Sequence, residues 1–181
     1  MHAVYARYRG RDLHRGDLVR RSAAALRTLP GLGQVTSLGV EELGLTTEDS
    51  EAAISMVMAL VSATDWRIGL GTAGTEQRAL AAAQHASRRR VPVGVDVEKR
   101  KDPDAEAAFA LLAHVLEKRS FEGRQATSLM RQGLNQVEAA AELGVSKQAV
   151  SQRLRAAGWQ AELSGWQLAV NLVARPAAQR G

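Results

Sequence analysis

Apolar positions in the first hundred residues switch between a period of two and a period near 3.6, and the switches divide this stretch into short strands and helices. Residues 2–9, with Val4, Tyr5 and Tyr8, are rich in strand formers. A helix is predicted over 14–29, where Leu18, Val19, Ala23 and Leu26 recur at helical spacing, and Pro30, Gly31 and Gly33 stop it. "QVTSLGV" and "LGLTT" read as two short strands around an acidic turn at Glu41 and Glu42. A second helix is predicted over 49–63, with Ile54, Val57, Met58 and Val61 as its buried stripe. "WRIGLG" is the next strand, "TEQRALAAAQHASRRR" an alanine-rich helix, and "VPVGVDV" a last strand that Pro92 assigns to a sheet edge. The order β-α-β-β-α-β followed by α-β predicts a split βαβ, ferredoxin-like arrangement with one unit appended.

Composition changes at "EKRKDPDAEAA", a charged and proline-containing stretch typical of a domain boundary. The expected division is a ferredoxin-like domain at 1–98 that pairs subunits or senses a partner, a linker at 99–104, and an all-helical domain at 105–181. Helices are predicted over 105–119, 123–131, 136–142, 147–157 and 163–173. Phe109, Leu112 and Leu116, with Leu111 and Val115, form a broad apolar face; Trp166, Ala169, Leu172 and Val173 offer another. These faces either pack on their neighbours or meet a second copy of the chain.

The most specific signal is "NQVEAAAELGVSKQAVSQRLRAAGW", residues 135–159. Asn135 and Glu138 have the spacing of a capping box, which fixes the start of one helix. Ala140 is small where two helices must cross, Gly144 suits a left-handed turn, and Ser146 caps the next helix. Val145 fills the turn, while Val150 and Leu154 face inward one turn apart. Ala140, Gly144 and Val150 thus have the offsets of a helix-turn-helix, whose second helix enters the major groove of double-stranded DNA. Lys147, Gln148, Ser151 and Arg155 then share the outward face, flanked by Gln152 and Arg153, and Ser146 with the first amides of that helix adds a phosphate contact. Seven basic against four acidic residues over 117–160 leave this region at +3.

Over all 181 residues the formal net charge is +5, compatible with a polyanionic partner. Seven arginines fall within residues 1–40 (Arg7, Arg9, Arg11, Arg15, Arg20, Arg21 and Arg27), and 41–60 is purely acidic. The 45% of hydrophobic residues suffices for a core. The absence of cysteine removes disulfides, thiolate zinc sites and cysteine nucleophiles, and fits a reducing compartment. No apolar run approaches the roughly 18–20 residues of a membrane helix, and "MHAVYARYRG" has no signal-type apolar stretch, so a cytoplasmic location is expected.

Gly69, Gly71 and Gly74 spell G-x-G-x-x-G after a strand, and Asp96 lies 22 residues further on, a spacing reminiscent of dinucleotide binding. The motif follows the fourth apparent strand, however, and Pro92 interrupts the strand that carries the acid. No second mononucleotide half follows. The glycines are therefore read as letting the chain leave a strand and enter a helix. His2, His14, His85 and His114 have no metal-ligand spacing and are expected at the surface. Glu41 and Glu42, as strand neighbours, point to opposite faces and do not share a proton or metal. Neither catalytic residues, metal ligands nor a cofactor are expected.

The chain as a whole resembles the SatD-like family, in particular its actinobacterial DNA-binding members. In that family a shortened nucleotidyl-cyclase-like, ferredoxin-type domain precedes a C-terminal helix-turn-helix. The similarity rests on "HAVYARYRGRD", "VTSLGVEELGL", "WRIGLGTAG" and above all "GLNQVEAAAELGVSKQAVSQRLRAAGW". The last segment is also similar to region 4 of sigma factors, whose recognition helix ends in an Arg-Leu pair like Arg153 and Leu154. Where cyclases hold metal, the family shows Gly-Asp near the first strand and Gly-Asp-Glu in the hairpin; this chain reads "YRGRD" and "GVEE", with Val40 in place of an aspartate. The resemblance thus implies a regulatory or dimer-forming fold rather than an enzyme. The expectation is a homodimeric transcription regulator. Its rivals are a helix-turn-helix that addresses RNA polymerase or another protein, and a cyclase-derived nucleotide binder.

Overall fold

Alternation in β1 (His2–Tyr8) sends Val4, Ala6 and Tyr8 into one core and Ala3 and Tyr5 into another, on the opposite side of the sheet. The computed structural model describes residues 1–98 and 100–175, so Lys99 of the expected linker and residues 176–181 of the expected helical domain lie outside the described part. β1 is central: it pairs antiparallel with β3 (Glu42–Thr47) and β4 (Trp66–Thr72), so that Val4 lies opposite both Leu45 and Leu70. β2 (Thr36–Gly39) runs antiparallel to β3, while β5 (Val93–Val97) runs parallel to β4. β6 (Arg100–Lys101) closes the far edge, completing a six-stranded mixed sheet of order β2-β3-β1-β4-β5-β6. With eight helices among the described residues, the fold is mixed α+β.

Four helices build one continuous core against one face of the sheet: α1 (Arg15–Arg27), α2 (Ser50–Ser62), α4 (Pro103–Glu117) and α8 (Trp159–Ala174). Phe109 of α4 is fully buried there beside residues of α2 and α8. The composition break at 98–108 therefore does not coincide with a break in packing, because α4 and α8 complete the same core as the sheet. Only α5 (Phe121–Arg131), α6 (Gln136–Leu143) and α7 (Lys147–Ala156) gather around a small cluster of their own. Phe109, Leu112, Leu116, Ala169 and Val173 are spent on internal packing, and Leu111 alone of the α4 face is largely exposed.

Four local expectations are corrected. Residues 100–101 form a strand, unforeseen because a two-residue edge carries no periodic signal. Pro92 precedes β5 rather than interrupting it, so its missing donor removes no ladder bond, and β5 is not the edge strand expected but pairs with β4 on one side and β6 on the other. The helix expected to reach Arg90, α3 (Glu76–Ala86), stops four residues earlier. There Arg89 turns inward, donating to Asp96 Oδ1 at 2.8 Å, Glu106 Oε1 at 2.7 Å and the Val95 carbonyl at 3.0 Å. At the other junction Asp102 accepts the Ala105 amide at 3.0 Å with Pro103 in the first turn, which starts α4 earlier than expected.

α3 lies alone on the opposite face, against β1, β4 and β5. A β-carbon at Gly69 would stand 1.9 Å from the Ala83 carbonyl oxygen, one at Gly71 2.1 Å from that of Ala79, and one at Gly94 2.1 Å from that of Ala86. These glycines let a helix rest directly on strand backbone. Gly74, at the head of α3, donates its amide to Glu98 Oε1 at 3.0 Å.

Candidate nucleic-acid interface

The segment that joins α6 to α7 follows from capping chemistry. Asn135 Oδ1 accepts the Val137 amide at 2.8 Å and the Glu138 amide at 3.1 Å, and Glu138 Oε2 accepts the Asn135 amide at 2.8 Å. Both sides of the capping box are therefore made, satisfying amides that the helix leaves without partners. At the other end Gly144 adopts φ 63° and ψ 34°, and the Val145 amide reaches back to the Ala140 carbonyl at 3.0 Å. The chain turns within three residues, and Ser146 Oγ then accepts the Ala149 amide at 3.1 Å to start α7.

Packing fixes which side of α7 faces out. Val150 is fully buried and Leu154 nearly so, against Ala126 of α5 and Ala139 and Ala140 of α6. Leu143, Val145 and Trp159 seal the margins of this cluster. Of the residues named from sequence, Ser146, Lys147, Gln148, Gln152 and Arg155 are exposed, while Ser151 and Arg153 are half-buried. The first group presents an ammonium, two amides, a hydroxyl and a guanidinium on the side away from α5 and α6. Arg153 instead sits toward α5, close enough to Glu122 to help hold that carboxyl below its ordinary range; hydrogen bonds from Glu122's own amide and from Ser120 contribute more. Its charge is partly answered inside the fold.

A buried ionic cluster that sequence inspection does not reveal ties α7 to the rest of the molecule. Glu162 of α8 accepts Arg119 at 2.6 Å through Oε2 and Arg131 of α5 at 2.7 Å through Oε1. Arg119 also donates to the Ala157 carbonyl at 2.8 Å, at the C-terminal end of α7. Burial, the largest influence, pulls the Arg119 guanidinium below its ordinary pKa, opposed by Glu162. Arg131 lies over the Trp159 ring at 5.8 Å. Arg124 of α5 donates to the Ser62 carbonyl at the end of α2, at 3.3 Å. No short-range pattern joins positions 119, 131 and 162; the helices bring them together.

Two of the histidines expected at the surface have defined partners. His2 is buried and hydrogen-bonded to Thr72 Oγ1 at 3.0 Å. His85, though mostly exposed, places Nδ1 2.7 Å from the carboxylate of Asp96, which is 1% exposed and also held by Arg89. Glu41 and Glu42 do separate: Glu41 binds Arg15 at 2.8 Å, which keeps its carboxyl below the usual range, whereas Glu42 meets the Tyr5 hydroxyl. Among the described residues no group of three or more histidine, aspartate or glutamate side chains could hold a metal ion, and no helix is long and apolar enough to cross a membrane.

Comparison with protein families, with curated proteins and with solved structures gives no match to this chain.

Proposed function

We propose that this protein is a sequence-specific, homodimeric regulator of transcription that acts in the cytoplasm and reads double-stranded DNA with α7. One observation carries this reading: the exposed Ser146, Lys147, Gln148, Gln152 and Arg155 stand together at and along a helix whose other side is sealed by Val150 and Leu154, after a three-residue turn that opens on the left-handed Gly144. In these terms α6 and α7 are the helix-turn-helix, and α5 is the helix that supports it. Amides and a guanidinium pair with base edges in the major groove, and Lys147, Ser146 and the free amides of the first turn hold phosphates. The strand order β2-β3-β1-β4, all antiparallel, supports a ferredoxin-like unit with α3 and β5 appended. That unit pairs subunits, so that two copies of α7 address half-sites about one helical turn apart. No catalysis and no cofactor is part of this reading.

The test is a mobility shift on duplexes selected by the full chain, comparing wild type with Gln148→Ala, Ser151→Ala, Arg155→Ala combined. The triple variant is expected to lose sequence-specific binding, since each base-reading side chain contributes about 1–3 kcal/mol. Equal specific binding by both proteins would sink the assignment. A second reading, docking of the same helices on RNA polymerase or another protein, draws on Phe121 and Val137, which are 71% and 60% exposed on α5 and α6. Function indifferent to DNA and to salt would favour it.

A further inference from the structure

Two arginines of the N-terminal region, Arg7 and Arg9, come together in the fold with Arg67 and Arg88. In the β1–β4 ladder Tyr5 lies opposite Gly69, and Arg7 opposite Arg67. Alternation puts Ala3, Tyr5 and Arg7 on the side of the sheet that α3 occupies. α3 ends at Ala86, and beside its end a polar cleft of about 340 Å³ opens, lined by Tyr5, Arg7, Arg9, Glu42, Arg67 and Arg88. Four guanidiniums against one carboxylate give the lining a charge of +3.

Elsewhere the inward-turned arginines are matched: Arg89 by Asp96 and Glu106, Arg119 and Arg131 by Glu162. The cleft arginines, of which Arg7, Arg9 and Arg88 are exposed and Arg67 half-buried, are answered less fully. Glu42 is engaged by Tyr5, and Arg7 reaches Glu41 only at 3.5 Å. Arg9, Arg67 and Arg88 form no ion pair among the described residues. The backbone that carries Arg9 is anchored at the cleft, its amide bonded to the Asp65 carbonyl at 2.7 Å. Like charges gathered in a concavity repel one another, and a multiply charged anion relieves that repulsion. Guanidinium forks match the paired oxygens of phosphate groups.

We propose that this cleft binds a small oligophosphate through Arg7, Arg9, Arg67 and Arg88. A single phosphate, carrying about two charges, leaves part of the +3 unanswered; two or more linked phosphates answer it in full. A cleft of about 340 Å³ suits a small molecule rather than a polymer lying along the surface. Tyr5, the one aromatic residue in the wall, is 7% exposed, so no ring face is offered to a base. Recognition is therefore of the phosphates, and inorganic tripolyphosphate and a nucleoside triphosphate bind alike. The site is separate from α7 and does not depend on the DNA reading.

Titration calorimetry of the full chain with inorganic tripolyphosphate is expected to show saturable binding. Arg67→Ala with Arg88→Ala should weaken it about 100-fold, roughly tenfold per guanidinium. Arg67→Lys with Arg88→Lys, which keeps the charge but loses the fork, should fall between. Both arginines belong to the rim rather than to the hydrophobic clusters, so thermal melting should be unchanged and binding to selected DNA unaltered. Arg153→Ala with Arg155→Ala should leave tripolyphosphate binding intact. Absence of saturable binding by wild type, or unchanged binding by the double alanine variant, overturns the proposal. So does loss of DNA affinity with a shallower salt dependence in that variant, since the arginines would then serve the DNA backbone. ATP binding tenfold or more tightly than tripolyphosphate overturns recognition by phosphate alone.

Discussion

Replacing Gly69 by alanine tests whether the G-x-G-x-x-G stretch is a packing device. The new methyl would lie 1.9 Å from the Ala83 carbonyl oxygen and 2.6 Å from the Ser87 amide nitrogen. Ordinary contact is about 3.5 Å, so α3 must lift from the sheet by on the order of 1.5 Å. Neither atom belongs to a flexible side chain that could swing aside. Lifting the helix also loosens Ala79, Ala82, Ala83 and Ala86, each buried beneath it. Overpacking of this kind costs about 1–3 kcal/mol, more where backbone must move, and we expect about 3 kcal/mol or above. For a chain of this size each kcal/mol moves the melting temperature by about 2–4 °C, so thermal unfolding followed by circular dichroism should fall by roughly 6–12 °C. Gly74→Ala is the matched control: a β-carbon there meets only Glu98 Oε1, at 4.0 Å, and should leave the melt unchanged. A Gly69→Ala variant that melts like wild type would refute the account of these glycines.

The remaining expectations concern the helical part and the sheet face. Gly144→Ala should cost about 1–2 kcal/mol in urea unfolding, because φ is 63° and no neighbouring atom obstructs a methyl; Gly144→Asn should cost less. Glu162→Gln should destabilise by about 3–5 kcal/mol, since it leaves the buried Arg119 without its counter-charge; an unfolding midpoint equal to wild type would contradict this. Burial, reinforced by Glu42, pushes the Tyr5 hydroxyl from 10.0 to about 12. Its folded-state pKa is the higher one, so its contribution to stability is complete below pH 10 and is lost as pH rises toward about 12. Tyr5→Phe should remove that alkaline loss in pH-dependent unfolding, and an identical alkaline limb in both proteins would count against it.

What could be read from the residues alone was what depends on near neighbours. The capping of α6 and α7, the left-handed residue at Gly144 and the inward faces of Val150 and Leu154 each involve groups within a turn or two, so spacing suffices to place them. The eight helices and five of the six strands were located in the same way, with errors at their ends where a long-range partner intervened, as Arg89 does beyond α3. Tertiary structure alone decided the rest. It joined α4 and α8 to the sheet's core across a charged stretch that looks like a linker, since packing responds to the faces of helices and not to the composition between them. It brought Arg119, Arg131 and Glu162 together, set Asp96 beneath His85, and collected arginines from positions 7, 9, 67 and 88 around one cleft. Each of those groupings depends on strand register and on where a helix lies across the sheet, and these are fixed only when every element has found its neighbours.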